Sequence, residues 1–169
     1  MTRIQPSLAK IEAVYRARGA DFFRLALART GDPEQARDAV QEGFADAIRS
    51  RASYRGSGSL EAWVARCVIN AAHDAAGART RFVTALDAVA ESRNGRGETG
   101  PPANPPAEIV REAVRRLPTR QRDALFLRHY LDFDYAAIAE ALGIEVGTVS
   151  ATLHAARAAL AHELQEVTR

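Results

Sequence analysis

One cysteine, Cys67, is the whole thiol content of the chain, so an intramolecular disulfide is excluded and the paired-cysteine spacings of a structural zinc site are absent. Aromatic residues are scarce at 7%, and Val, Ile and Thr rarely cluster, which removes the usual material of β-sheets. No run of about 18 apolar residues occurs, nor does a basic start followed by an apolar stretch of signal-peptide length. These absences predict a protein that inserts in no membrane and stays in the reducing cytoplasm. The four histidines, His73, His129, His154 and His162, are scattered, and none belongs to a nucleophile or metal motif. No catalytic residue, metal site or cofactor is expected, and the chain does not read as an enzyme.

What remains is rich in Ala, Leu, Arg and Glu, and 47% of its 169 residues are hydrophobic. That composition favours helices and supplies enough apolar surface for cores, so an all-α fold is expected. Net charge is +2, unevenly spread: residues 1–83 hold 13 Arg and Lys against 9 Asp and Glu, while residues 108–169 hold 8 against 9. Affinity for a phosphate backbone comes from clustered cations, so the second half is electrostatically weak for a nucleic-acid binder.

Between Thr84 and Ala107 helical periodicity breaks down, and Gly95, Gly97, Gly100, Pro101, Pro102, Pro105 and Pro106 interrupt it. Such a stretch buries little and reads as a flexible linker over 84–107, dividing the chain into helical units at 1–83 and 108–169. In the first unit two short helices are expected, roughly Leu8 to Arg18 and Asp21 to Thr30. Asp32 and Pro33 then mark a helix start, an acidic cap followed by a residue whose missing N–H costs nothing there. The helix beyond carries Ala36, Ala39, Val40, Phe44, Ala47 and Ile48 on one face and Arg37, Asp38, Gln41, Glu42 and Asp46 on the other. A turn-rich segment from Tyr54 to Ser59 precedes a further helix with Leu60, Trp63, Val64, Cys67, Val68, Ala71 and Ala75 as its apolar stripe. Trp63 and Cys67 therefore read as core residues, and Arg66, Asn70, His73 and Asp74 fall outside the stripe.

In the second unit, a helix from about Thr119 to Tyr130 leads to Asp134, which can cap a motif running through Ser150. Ala139, Gly143 and Val149 stand at the offsets of a helix-turn-helix: a small residue at the helix crossing, a glycine for the left-handed turn, and a plug from the second helix. Ile138, Leu142, Ile144 and Leu153 supply the rest of its packing. The second helix of such a motif enters the major groove. Its exposed positions here, Glu145, Gly147, Thr148, Ser150, Ala151, Thr152, His154 and Ala155, include no Arg, Lys, Asn or Gln before Arg157, although those residue types do most base reading.

Taken together, Gly31-Asp32-Pro33, the segment Ala36 to Phe44, Ala62-Trp63-Val64 with Asn70 and Asp74, Leu117 to Arg122, and Tyr135 to Gly143 resemble the two conserved regions of bacterial sigma factors of the extracytoplasmic-function (ECF) type. The resemblance covers nearly the whole chain in order and spacing. It implies that the helix bearing Asp38, Gln41 and Glu42 docks on core RNA polymerase, where carboxylates and an amide suit a partner presenting Arg. It implies that Arg66, Asn70, His73, Asp74, Arg79 and Arg81 line the path of the opened promoter minus-10 element, with Asn70 as a reader. Thr148, Ser150, Thr152, His154 and Arg157 take the helix-turn-helix contacts to promoter DNA. The linker would permit an anti-sigma protein to clamp between the regions, and control is expected from outside the chain because nothing after Glu166 reads as a regulatory addition.

Two departures stand out. Where the family commonly has an arginine run, this chain has Ala75, Ala76, Gly77 and Ala78, and the recognition helix lacks its usual cations. Two functions consequently stay open at this point: a promoter-selecting sigma factor, or a sigma-like protein that binds polymerase and is brought to DNA by another factor or competes for the enzyme. A helix-turn-helix regulator with a sensory bundle would need a ligand pocket or phosphoacceptor in residues 1–83, and none is evident.

Overall fold

The computed structural model describes residues 5–56, 58–76 and 105–167, and all regular structure among them is helical. Helix α1 spans Leu8–Thr30, where two shorter helices were expected. It runs straight through Gly19, which keeps ordinary helical backbone and lies beside the Tyr15 ring. A glycine inside a helix costs about 1 kcal/mol relative to alanine, less than the burial of Ile11 and Val14 before it and Phe22 and Leu25 after it returns. Ser7 caps the start by accepting the Lys10 N–H, and Gly31, at φ 68°, closes the end by donating to the Leu27 carbonyl.

Helix α2, Pro33–Arg49, begins at the cap expected for it: Asp32 Oδ1 accepts the Gln35 N–H at 2.8 Å. Ala36, Ala39, Val40, Gly43, Phe44 and Ala47 are buried. Ile48, expected in that stripe, is 45% exposed, because the next step of 100° past Ala47 turns it to solvent. A short 3-10 turn, Arg51–Ser53, leads to Tyr54, whose hydroxyl donates to the Gly58 carbonyl at 2.6 Å and whose ring packs 5.5 Å from that of Trp63.

Helix α3, Leu60–Ala76, approaches α2 so closely that a Cβ on Gly43 would lie 2.6 Å from the Val68 Cα. It buries far more than the single stripe read from periodicity: Ala62, Ala65, Ile69 and Ala72 are buried along with Trp63, Val64, Val68 and Ala71, whereas Ala75 is exposed. The reason is that α3 has neighbours on both sides, α1 and α2 on one and the helix-turn-helix on the other.

The second unit comprises α4 (Pro105–Arg116), α5 (Thr119–His129), α6 (Tyr135–Leu142) and α7 (Val146–Val167). Helix α4 begins within the expected linker, so residues 105–107 are helical; residues 84–104 of that linker lie outside the described residues. Proline suits a first helical turn because its missing N–H has no partner there anyway. Arg116 ties α4 to α7 through Glu163 at 2.9 Å. Asp134 caps α6 through the Ala137 N–H at 2.7 Å, and Gly143 takes the left-handed conformation, φ 64°. Ile138, Val149 and Leu153 are fully buried, and Ala139 is nearly so. One continuous set of buried residues runs from Ile11 in α1 to Ala156 in α7.

Gly43→Ala is expected to lower stability by about 1–3 kcal/mol, the cost of forcing a methyl group into a packed contact, read as a lower midpoint in urea unfolding at unchanged slope.

Candidate polymerase and nucleic-acid interfaces

Asp38, Gln41 and Glu42 are all exposed on α2, on the side away from the buried stripe. Glu42 is already engaged, since Arg49 bridges it at 2.5 Å and also pairs with Asp46. Both carboxylates, Asp46 foremost, hold the exposed Arg49 guanidinium above its ordinary pKa. A cationic partner therefore meets Glu42 with one carboxylate oxygen already held by Arg49, while Asp38 is in no ion pair among the described residues and is open to it.

On α3, Arg66, Asn70, His73 and Asp74 are exposed, and their spacing places them along one side of the helix. His73 Nδ1 lies 3.7 Å from Asp74 Oδ1, at the solvent-exposed end of α3. Arg79 and Arg81 lie outside the described residues. Arg66 is not free along this path: a Cβ added at Gly143 would sit 3.2 Å from its guanidinium, so the arginine rests on the turn of the helix-turn-helix. Trp63 is 8% exposed, a core residue as its place on the stripe implies. Cys67 is partly buried, and burial raises its thiol pKa to about 11, with Asp46 adding to the effect.

On α7, Thr148, Ser150 and His154 are exposed. Thr152 is partly buried, and its hydroxyl donates to the Thr148 carbonyl at 2.7 Å, so its one proton is spent inside the helix. Arg157 is exposed as well, one turn beyond His154 and on the same side as Ser150 by helical spacing, and it borders an apolar cavity of about 300 Å³ with Leu25 and Ala28 of α1 and with Phe126 and Leu160. The exposed early face of the recognition helix thus offers two hydroxyls, one imidazole and no cation, as its composition implied.

The most heavily buried charges belong to residues that periodicity did not single out. Arg29, at the end of α1, meets Asp123 of α5 with Nη2–Oδ2 at 2.7 Å and Nε–Oδ1 at 3.3 Å, a two-pronged contact across 94 residues. Their side chains are only 11% and 8% exposed. Burial pushes the Asp123 carboxyl above its ordinary pKa, against the pull of Arg29, Arg122 and Arg120. Removing one partner of such a pair costs about 3–5 kcal/mol, because the other charge is left buried and unpaired. Nearby, Arg18 donates to the Leu131 carbonyl at 2.8 Å and lies over the Phe133 ring. The available signal was Asp123 itself, a carboxylate one turn before the buried Leu127 on an otherwise apolar face.

This arrangement matches two family profiles in sequence: Sigma-70 region 2 over residues 14–82, which covers most of α1 with α2 and α3, and Sigma-70 region 4 over residues 107–160, which covers the helix-turn-helix unit. The ECF RNA polymerase sigma factor SigM of Mycobacterium tuberculosis is 31% identical over 156 residues, 90% of this chain and 76% of that one. The chain belongs to the ECF sigma factors.

Other relatives agree with the assignment of this sigma factor. The RNA polymerase sigma-H factor of Pseudomonas aeruginosa is 30% identical over 149 residues, 82% of this chain and 77% of that one. The ECF sigma-E factor of Escherichia coli is 30% identical over 143 residues, 78% of this chain and 75% of its own length. Two solved structures share the fold. The sigma factor RpoE of Bartonella quintana, in complex with the anti-sigma factor NepR, superposes with a TM-score of 0.63 at 19% identity, covering 96% of this chain and all of that one. CnrH, in complex with the cytosolic domain of CnrY, gives 0.67 at 18% identity over 95% and 90%. Among the described residues of this sigma factor, no single helix is long and apolar enough to cross a membrane.

With its pKa raised from 9.0 to about 11, the Cys67 thiol is expected to react with iodoacetamide at pH 8 about a hundredfold more slowly in the folded chain than in urea, the ratio of the two thiolate fractions. Alkylation rates followed by mass spectrometry check this; equal rates would mean that the thiol is not shielded.

Proposed function

We propose that this ECF sigma factor binds core RNA polymerase and directs it to promoters, with α2 as the docking helix, α3 as the strand-opening helix and α7 as the duplex reader. The observation that carries the docking half is the exposed acidic and amide face of α2, Asp38, Gln41 and Glu42, opposite a stripe buried against α1 and α3. A rigid helix presenting carboxylates at successive turns fits a partner surface of arginines, since each pairing forms a charge-assisted hydrogen bond. On α3, Asn70 is the reader we favour, because its exposed amide can donate and accept at a base edge, with Arg66, His73 and Asp74 beside it and Arg79 and Arg81 following in sequence.

Contacts at the upstream element fall to Thr148, Ser150 and His154, with Arg157 further along, while Thr152 serves the helix. Hydroxyls and one imidazole make this a weak duplex contact, so polymerase docking and the α3 reading surface carry most of the promoter affinity. An anti-sigma protein is a further partner we propose, on the ground that the Bartonella quintana neighbour is bound to one.

In run-off transcription with core polymerase and a promoter panel, the chain is expected to produce at least one defined start site. Polymerase binding with no defined start on any promoter would sink this reading. Asp38→Arg combined with Glu42→Arg is expected to weaken core binding at least tenfold, about 1.4 kcal/mol, measured by fluorescence anisotropy at moderate salt. Ser150→Arg restores a cation to the reading face and is expected to tighten binding to promoter DNA about tenfold, steepening its salt dependence by roughly one ion.

A further inference from the structure

The geometry points to a binding site for a small amphipathic anion, an unbranched carboxylate of about ten carbons, in the apolar cavity between α1, α5 and α7.

The cavity holds about 300 Å³, at the lower end of the range in which proteins take up small ligands. Leu25 and Ala28 of α1, Val114 of α4, Leu125 and Phe126 of α5 and Leu160 of α7 converge on it. Phe126 stacks on Tyr130 with ring centroids 4.7 Å apart, so the aromatic part of the wall is held in place by its neighbour. The hollow opens to solvent, and water inside it meets an almost wholly apolar surface that offers few hydrogen bonds. An apolar occupant removes that surface from water, which is the source of affinity in such a site. An engineered apolar cavity of roughly 150 Å³ takes one benzene, so twice the volume takes on the order of ten carbons.

The residues at the border set the head group. Arg122, His129 and Arg157 line the cavity although its surface is apolar, so their stems and ring edges face it while the polar ends reach its mouth. Arg157 and His129 are exposed, and Arg157 is in no ion pair among the described residues. Arg122 donates to the Thr119 hydroxyl at 3.1 Å. Asp123 is the one carboxylate among the described lining residues, and Arg29 holds both of its oxygens. That pair is neutral together, which leaves two arginines beside an apolar hollow. A carboxylate on the end of a short alkyl chain matches this border, because a guanidinium can give it two parallel charge-assisted hydrogen bonds. An ammonium in the same place is repelled.

The site lies apart from the surfaces assigned to polymerase and to the minus-10 element, since no described residue of α2 or α3 borders it. It shares only Arg157 with the residues assigned to DNA.

Isothermal titration calorimetry of the full chain with sodium decanoate, kept below its self-association concentration, is expected to show saturable binding at one equivalent. Octanoate should bind about tenfold more weakly, the effect of two methylene groups. Dodecanoate should gain less than threefold over decanoate, because the volume is already filled. Decylammonium should bind at least tenfold more weakly than decanoate. Leu160→Trp, which fills the cavity, and Arg157→Glu, which reverses the charge at its mouth, should each cost at least tenfold in decanoate affinity, with circular dichroism checking that both variants fold.

Uptake without saturation, or unchanged affinity in a folded Leu160→Trp chain, overturns the site. Equal affinity for decanoate and decylammonium, or an Arg157→Glu chain that binds like the parent, overturns the anionic head group, and both comparisons stand even where Leu160→Trp does not fold. No uptake of decanoate at all would reserve the cavity for a side chain of a protein partner and end the inference.

Discussion

The backbones of α2 and α3 meet at Gly43, where any side chain would collide with the main chain of Val68, and most of the remaining architecture follows from that approach. Bringing α2 so near lets Ala36, Ala39 and Ala47 close the contact without large side chains, leaving Phe44 to pack against Phe22 and Tyr15 of α1. The polar face of α2 is turned outward as a consequence. Asp38, Gln41 and Glu42 owe their presentation to a stripe that cannot face anywhere else.

Helix α3 then serves two masters. One side completes the first unit through Val68, and the other receives α6, so small residues dominate: Ala62, Ala65, Ala71 and Ala72 allow neighbours on both sides. Packing from two directions leaves only a narrow exposed strip, occupied by Arg66, Asn70, His73 and Asp74. The chemistry open to this helix is therefore concentrated on that strip, whose Arg66 end touches the Gly143 turn of the helix-turn-helix.

The helix-turn-helix itself keeps its scaffold and has little of the usual chemistry on its reading face. Gly143 holds the left-handed turn, Val149 and Leu153 seat α7 on α6, and Asp134 caps the motif, all packing functions that survive without a cation on the outer face. The most deeply shielded ion pair made from this unit lies elsewhere, at Asp123 on the preceding helix, and is directed at α1 instead of outward.

How much of this was legible in the chain depends on the range of the interaction. Caps at Asp32 and Asp134, the left-handed glycine at 143, the α2 stripe from Ala36 to Ala47 and the burial of Trp63 are local or periodic features, and they could be read because neighbours in sequence determine them. The family pattern likewise lies in local segments kept in order. Continuous α1, the second buried side of α3 and the exposure of Ile48 could not be read, because each depends on which surface a distant helix covers. The Arg29–Asp123 pair is the clearest case: Asp123 on an apolar face hints at a buried carboxylate, but nothing near Arg29 marks it as the partner, and only the folding of α5 against the end of α1 brings the two charges together, where loss of water makes the pairing necessary.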